Sequence, residues 1–189
     1  MRTIISLAHL SLDGFLATPD RDMSFVRFDA DLADHTYPLI HSVDTSVYGR
    51  VTYELMQGYW PGIAEAQPTE DTHAATHARW YCGVNKIVAS RTLRMTDPTV
   101  RVVSDDIVGV LRAEKQKPGG DIMIFASPTL VQTLAAEGVV DEWRLTLQPV
   151  FLGRGLSMIS HLEKRLELEL VEARTFARGV IAAHYRTKR

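Results

Sequence analysis

Short apolar runs that end on a small residue and turn at once into a new direction recur along this chain, and few folds accommodate that rhythm. Three such strand ends stand out: SVYGRVTYELM at 46–56, IVASRTL at 87–93 and IFASPTLVQTL at 124–134. The β-branched runs read as buried strands, and the spaced apolar residues between them read as helices. Strands alternating with helices imply an α/β layer structure around a mostly parallel sheet.

The pattern predicts strands over 2–10, 43–48, 85–90, 99–103, 121–126 and 140–152. Helices are expected over 29–42, from 50 to 57, over 70–82, 105–116 and 127–137. Pro38 weakens or kinks the first of these, because it lacks an amide proton. Asp13-Gly14 marks a turn, and 61–72 reads as a surface loop. Ser104 or Asp105 is the expected N-cap of the helix at 105. Ser127 with Pro128 makes a favourable helix start, and Gly138 a helix stop. Residues 166–177 and 179–187 read as a closing antiparallel hairpin around Arg178-Gly179. The expected whole is a mixed, mostly parallel sheet with an antiparallel C-terminal edge and helices on both faces.

A chain of 189 residues without repeats or long linkers suits a single domain, 1–189. Its formal charge of -2 supplies no basic field for nucleic acid or anionic membranes. One cysteine, Cys82, makes neither an internal disulfide nor a cysteine-rich metal site. The N-terminal apolar run is broken by Ser6, His9, Ser11 and Asp13, which fits neither a signal peptide nor a span. A cytoplasmic protein is the expectation.

Chemistry concentrates at the three strand ends. Gly49 allows close backbone approach, the helix start behind it offers free amides, and Arg50 adds a fork that matches phosphate. The same segment also reads as an ordinary strand-turn-helix with a surface arginine. Arg91, beside Ser90, suits a ribose 2′-phosphate, or else sits on a solvated turn. Ser127 and Thr129 suit an anion, or else simply cap their helix.

In this order the segments resemble the dihydrofolate-reductase-like superfamily. They are most similar to the C-terminal reductase domain of the bifunctional riboflavin-biosynthesis deaminase-reductase and its stand-alone relatives. The resemblance rests on SLDGFLA at 11–17, YGRVTYELM at 48–56, IVASRTL at 87–93, DIMIFASPTLVQTLAAEGVVDEWRLTLQPVFLGRG at 121–155 and GVIAAHYR at 179–186. It implies a three-layer dihydrofolate-reductase-like fold and an NADPH-dependent reductase acting on a small heterocyclic or sugar-like substrate. The nearest activities are 5-amino-6-(5-phosphoribosylamino)uracil reductase and dihydrofolate reductase. It implies that Gly49, Arg50 and Thr52 hold phosphates, and that Ser90 and Arg91 sit near the adenosine 2′-phosphate. By the same carry-over Ser127, Pro128 and Thr129 contact the pyrophosphate, while Ala8, Leu16 and Ala17 line the nicotinamide side. The chain departs from the family at Ala126, where a glycine is usual. That departure, with Pro128, favours a rival reading: a non-catalytic ligand-binding homodimer that kept the fold. A homodimer is expected in either case, with long apolar strands such as 145–152 as the contact.

Weaker signals complete the reading. Asp13 is the carboxylate candidate for a proton donor or substrate anchor, and equally a turn residue before Gly14. Tyr53 and Trp60 are candidates for the substrate pocket wall. His73 and His77 stand in HAATH, which lacks the glutamate of a zinc motif, so a solvated helix face and no metal are expected. His9 reads as a packed core histidine, or else one that faces the ligand.

Overall fold

The computed structural model describes every residue except Pro68, Glu70, Asp71 and Arg189. Its centre is a sheet of eight strands among the described residues, in the spatial order β5-β4-β3-β6-β1-β7-β10-β9. These are β1 (Ile4–Ser11), β3 (Val43–Gly49), β4 (Asn85–Ala89), β5 (Val100–Val103), β6 (Asp121–Phe125), β7 (Glu142–Gln148), β9 (Leu168–Thr175) and β10 (Ile181–Thr187). From β5 to β7 all neighbours run parallel, whereas β10 is antiparallel to both β7 and β9. The short strands β2 (Phe15–Ala17) and β8 (Leu156–Ser157) pair separately. Nothing in their three- and two-residue lengths signals a strand beforehand. A Cβ on Gly155 would collide with the Ala17 carbonyl, so glycine is required where these segments cross.

Period-two alternation divides each central strand between two cores. Ile122 and Ile124 of β6 face one core, with Ile4, Val47 and Ile87. Met123 and Phe125 face the other, with Ile5, Tyr48 and Val88. Helices α4 (Ile107–Gln116) and α5 (Pro128–Ala136) cover the first face through Leu111, Leu130, Val131 and Leu134. Helices α2 (Arg50–Ala66) and α3 (His73–Gly83) cover the second through Tyr53 and Tyr81. Burying each such side chain is worth about 1.5–3 kcal/mol, so strands buried on both faces are mostly apolar, with Ser6, Ser46 and Lys86 as buried exceptions. No helix among the described residues is long and apolar enough to cross a membrane.

Several expected boundaries shift for identifiable reasons. The helix expected over 29–42 is α1 (Ala30–Thr36) followed by a 3-10 turn at Tyr37–Ser42, since Pro38 lacks the donor for a regular turn. The loop expected at 61–72 is helix α2 as far as Ala66, with Pro61 inside it. Packing against α3 outweighs the hydrogen bond that Pro61 forfeits. Asp106, rather than Ser104 or Asp105, caps α4, accepting from Gly109 N at 2.9 Å. Strand β7 stops at Gln148 rather than running to 152, because Pro149 follows it. It also lies between β1 and β10, so its edges are occupied and cannot pair with a second copy.

Candidate functional site

The C-terminal ends of β1, β3, β4, β5 and β6 share one rim, and three hollows lie along it. The first, about 470 Å³, is walled by Leu16 and Ala17 of β2, the Gly49–Thr52 start of α2, and the Ala126–Leu130 start of α5. The second, about 390 Å³, lies beyond β4 and β5 and is walled by Ser90, Arg91, Asp105 and Asp106. The third, about 370 Å³, opens beyond β1, with Ala8, His9, Phe28, Tyr37, Trp60 and His77 around it. They adjoin one another. Arg50 and Ala89 belong to both the first and the second, and Thr52, Leu55 and Ala126 to both the first and the third.

Two helix starts therefore face one groove. The first amides of a helix have no partner inside it, and the helix dipole makes that end attractive to anions. Arg50 Nη1 rests 2.9 Å from both carboxylate oxygens of Glu54, one turn on, and is half exposed. Arg91 stands on the same side of the groove as Arg50. A third arginine, Arg21, enters the first hollow from the loop after β2, a residue that sequence reasoning missed.

The rim is strained. Among the described residues, four non-glycine residues have positive φ: Arg21 (70°), Asp106 (36°), Ala126 (42°) and Ser127 (58°). All four line the groove. Left-handed backbone costs an L-residue about 1–2 kcal/mol, and such strain gathers where function needs the geometry. At Ala126 the backbone keeps the glycine-like conformation although the residue is not glycine.

Ser127 has a different role from the one expected. Its hydroxyl makes no capping bond to α5. Instead Ser127 Oγ accepts from Gly49 N and donates to the Phe125 carbonyl, both at 2.9 Å. It ties the end of β3 to the end of β6, so neither this hydroxyl nor the Gly49 amide is left for a ligand. The Ser90 hydroxyl is likewise engaged, accepting from Thr92 N and Leu93 N.

Two further candidates move. Tyr53 is buried in the core with Tyr48 and Tyr81 and lines none of the three hollows, because it lies on the sheet-facing side of α2. Asp13 lines none of them either. Its carboxylate accepts from Ser11 Oγ (2.6 Å), Leu152 N (3.1 Å) and Gly153 N (2.7 Å), pinning the loop after β7. Those bonds, Ser11 foremost, hold its carboxyl below the usual carboxylate range, which suits an anchor and not a proton donor.

His77 does not lie on a solvated helix face, and His9 is packed while also facing a hollow. His9 and His77 both line the third hollow. His9 Nδ1 shares a 2.6 Å hydrogen bond with Thr146 Oγ1. His77 Nε2 is buried with no partner among the described residues. Burial lowers both imidazoles to about 4, so both are neutral at pH 7. The spacing of His73 and His77 carried a signal, but only the fold turns one ring inward: His73 pairs with Asp34 at 2.7 Å. No group of three or more metal-ligating side chains occurs among the described residues.

Comparison with known proteins agrees with this geometry. Residues 2–182 match the family described as the RibD C-terminal domain. A Bacillus subtilis (strain 168) relative, "Uncharacterized protein YyaP", is 29% identical over 184 residues, covering 97% of this chain and 94% of its own. A putative riboflavin biosynthesis protein from Shewanella sp. PV-4 superposes with a TM-score of 0.76 at 20% identity, over 99% of both chains. The Thermotoga maritima diaminohydroxyphosphoribosylaminopyrimidine deaminase/5-amino-6-(5-phosphoribosylamino)uracil reductase superposes with a TM-score of 0.69 at 11% identity. There 99% of this chain covers 57% of the larger protein. The shared architecture is the dihydrofolate-reductase-like α/β fold. With a family match over nearly its whole length, and a groove at the strand ends where such sheets bind ligands, the chain belongs to the RibD C-terminal domain family.

Proposed function

We propose that the chain is an NADPH-dependent reductase whose groove holds the dinucleotide along the rim. The observation that carries this reading is that the three hollows lie side by side along one rim, sharing Arg50 and Ala126 in their walls. The donor set fits a dinucleotide phosphate. Arg91 and Arg50 meet the 2′-phosphate end, and the amides at the starts of α2 and α5 meet the pyrophosphate, with Arg21 and Thr129 beside them. Ala8, Leu16 and Ala17 wall the apolar end, where the nicotinamide would lie. When bound, the cofactor supplies the hydride. The protein's own part is to orient the ring, exclude water and neutralise charge.

Trp60 lines the third hollow, so its fluorescence reports on the groove. Titration with NADPH is expected to give a saturable change, larger than with NADH at equal concentration. No saturable change at millimolar cofactor would remove the reductase reading.

A second reading has its own support. The Ala126 methyl lines the groove and Pro128 offers no amide at the start of α5, both of which weaken a pyrophosphate site. A ligand-binding homodimer without catalysis is then the alternative, and failed NADPH binding alongside a dimer mass would select it. The apolar side chains exposed on edge strand β9, Leu170 and Val171, support pairing of two copies under either reading. Light scattering giving a monomer mass would dismiss the dimer.

A further inference from the structure

A chain of hydrogen bonds runs from the loop after β2 to the wall of the third hollow, and its first member sets the direction of all the others. The Arg27 backbone amide donates to Gln148 Oε1 at 2.9 Å. A backbone N–H only donates, so the oxygen of the Gln148 side chain faces it and the nitrogen faces away. Gln148 Nε2 donates to Thr146 Oγ1 at 3.2 Å. Thr146 Oγ1 has one further partner among the described residues, His9 Nδ1 at 2.6 Å. An amide nitrogen accepts nothing, which leaves Nδ1 as the acceptor for the Thr146 hydroxyl proton. Gln148 and Thr146 are both buried, and a buried hydroxyl proton without an acceptor costs about 1–3 kcal/mol.

The consequence falls on the far side of the His9 ring. Burial lowers this imidazole to about 4, so it is neutral at pH 7 and carries one proton. With Nδ1 accepting, that proton sits on Nε2. His9 Nε2 bonds nothing among the described residues, yet it is not closed off from solvent as His77 Nε2 is. His9 is part-exposed and lines the third hollow and neither of the other two. Phe28 meets its ring edge-on at 5.5 Å, which holds the ring plane. No Lys, Arg, Asp or Glu lines this hollow among the described residues, so no charge competes for the same ligand atom.

We propose that His9 presents Nε2–H to the third hollow as a fixed hydrogen-bond donor, set by Thr146 and Gln148, and that a ligand there turns an uncharged lone-pair acceptor toward it, a carbonyl oxygen or a pyridine-type nitrogen. The ligand is a substrate only on the reductase reading; the direction of the donor stands on the hydrogen bonds alone. His9 is the specificity residue, and Thr146 and Gln148 are positioning residues that act through it. A neutral imidazole holds an acceptor without protonating it. A ligand N–H aimed at the same atom would bring proton against proton, so the arrangement also rejects. Arg27 lies on the loop that carries Met23, Val26 and Phe28 into the wall of the hollow, so one loop both walls the hollow and sets its donor.

Long-range proton–nitrogen NMR spectra of the full chain at pH 7 read the tautomer directly, because ring nitrogens with and without a proton resonate far apart; His9→Phe assigns the signals by their loss. The Nε2–H form is expected. Thr146→Val should admit the Nδ1–H form, and Thr146→Ser should restore the parent spectrum. Quinoline, which offers a ring-nitrogen lone pair, and indole, which offers only an N–H, are then titrated into the parent while the His9 signals are followed. Quinoline should bind about tenfold tighter than indole, the equivalent of about 1.4 kcal/mol. In His9→Phe, followed by tryptophan fluorescence, the two should fall within about twofold of each other, and thermal melting establishes that each variant folds. An Nδ1–H ring in the parent overturns the proposal. So does indole binding as tightly as quinoline, binding of neither probe, or the full quinoline preference surviving in His9→Phe. A Thr146→Val spectrum identical to the parent's removes the positioning role. A parallel NADPH titration separates the two readings: a quinoline preference without NADPH binding sinks the reductase alone, and NADPH binding with an Nδ1–H ring sinks the donor alone.

Discussion

The two ends of the central sheet are built on opposite principles. At the N-terminal ends of the strands, charges are gathered and closed on one another in ion pairs. Arg2 donates to Gly120 O (2.6 Å) and Thr45 Oγ1 (2.7 Å) and is paired with Asp44. Lys115 Nζ meets Asp141 Oδ1 at 2.5 Å, and Asp141 also accepts from Ile4 N at 2.9 Å. At the C-terminal ends Arg50 is held only by an exposed pair with Glu54, the backbone is left-handed at Ala126 and Ser127, and His77 keeps an unpaired nitrogen. One rim spends its polar groups on itself, and the other holds them ready. Stability and function are thereby segregated along the same strands.

That contrast can be broken most sharply at the closed rim. Lys115→Met removes one member of its ion pair with Asp141 at a site where both side chains are mostly buried, 11% and 13% exposed. A loss of about 3–5 kcal/mol of stability is expected, read from the urea midpoint, with NADPH affinity of the folded fraction unchanged. An unshifted midpoint would mean that the closed rim holds nothing together. At the open rim the outcome reverses. Arg50→Ala should cost about 1.5–3 kcal/mol in NADPH binding, measured by calorimetry, while stability stays within about 0.5 kcal/mol. Unchanged affinity would show that the phosphates lie elsewhere.

Acid should reach the open rim first. His9 and His77 titrate at about 4 in the folded chain against an ordinary 6.5. Between those values the unfolded chain binds protons that the folded chain refuses, so stability rises with pH across that window. Lowering pH from about 6.5 to about 4 should thus remove up to about 5 kcal/mol for the two imidazoles together, with a plateau above about 7. In His77→Phe the decline should be shallower; an identical pH profile would contradict the burial of that ring.

Two smaller effects sharpen the picture. Ala126→Gly relieves left-handed backbone, offset by the greater freedom of glycine in the unfolded chain, and should stabilise by about 0.5–1 kcal/mol in thermal unfolding. A destabilised variant would mean that the Ala126 methyl packs usefully in the groove. Glu54→Gln frees Arg50 from an exposed pair one turn away, so NADPH should bind slightly tighter, by about 0.3–0.5 kcal/mol. Weaker binding would show instead that Glu54 orients Arg50 for the phosphate.

Much of the fold was legible because the signals are local. The unbroken apolar run in DIMIF announced a central strand, and GRVTYELM announced the helix that follows β3. The groove residues Gly49, Arg50, Thr52, Arg91 and Thr129 were legible for the same reason: each sits at a strand end, and parallel strands bring all their ends to one rim. The misplacements have a common cause. Tyr53 and Trp60 lie seven residues apart on one helix, and only the angle at which α2 meets the sheet sends the first into the core and the second to the cleft. Asp13 looked catalytic because of its neighbours in sequence, yet its partners are Leu152 and Gly153, far along the chain.

Sequence alone therefore determined the strand-helix order, the parallel core and the strand ends that line the groove, since these depend on residue spacing and on groups that act where they stand. Tertiary structure alone decided that Arg21, His9 and His77 join the site and that Ser127 does not offer its hydroxyl to it. Those outcomes depend on which segments meet across the sheet, and a contact between distant segments leaves no periodicity to read.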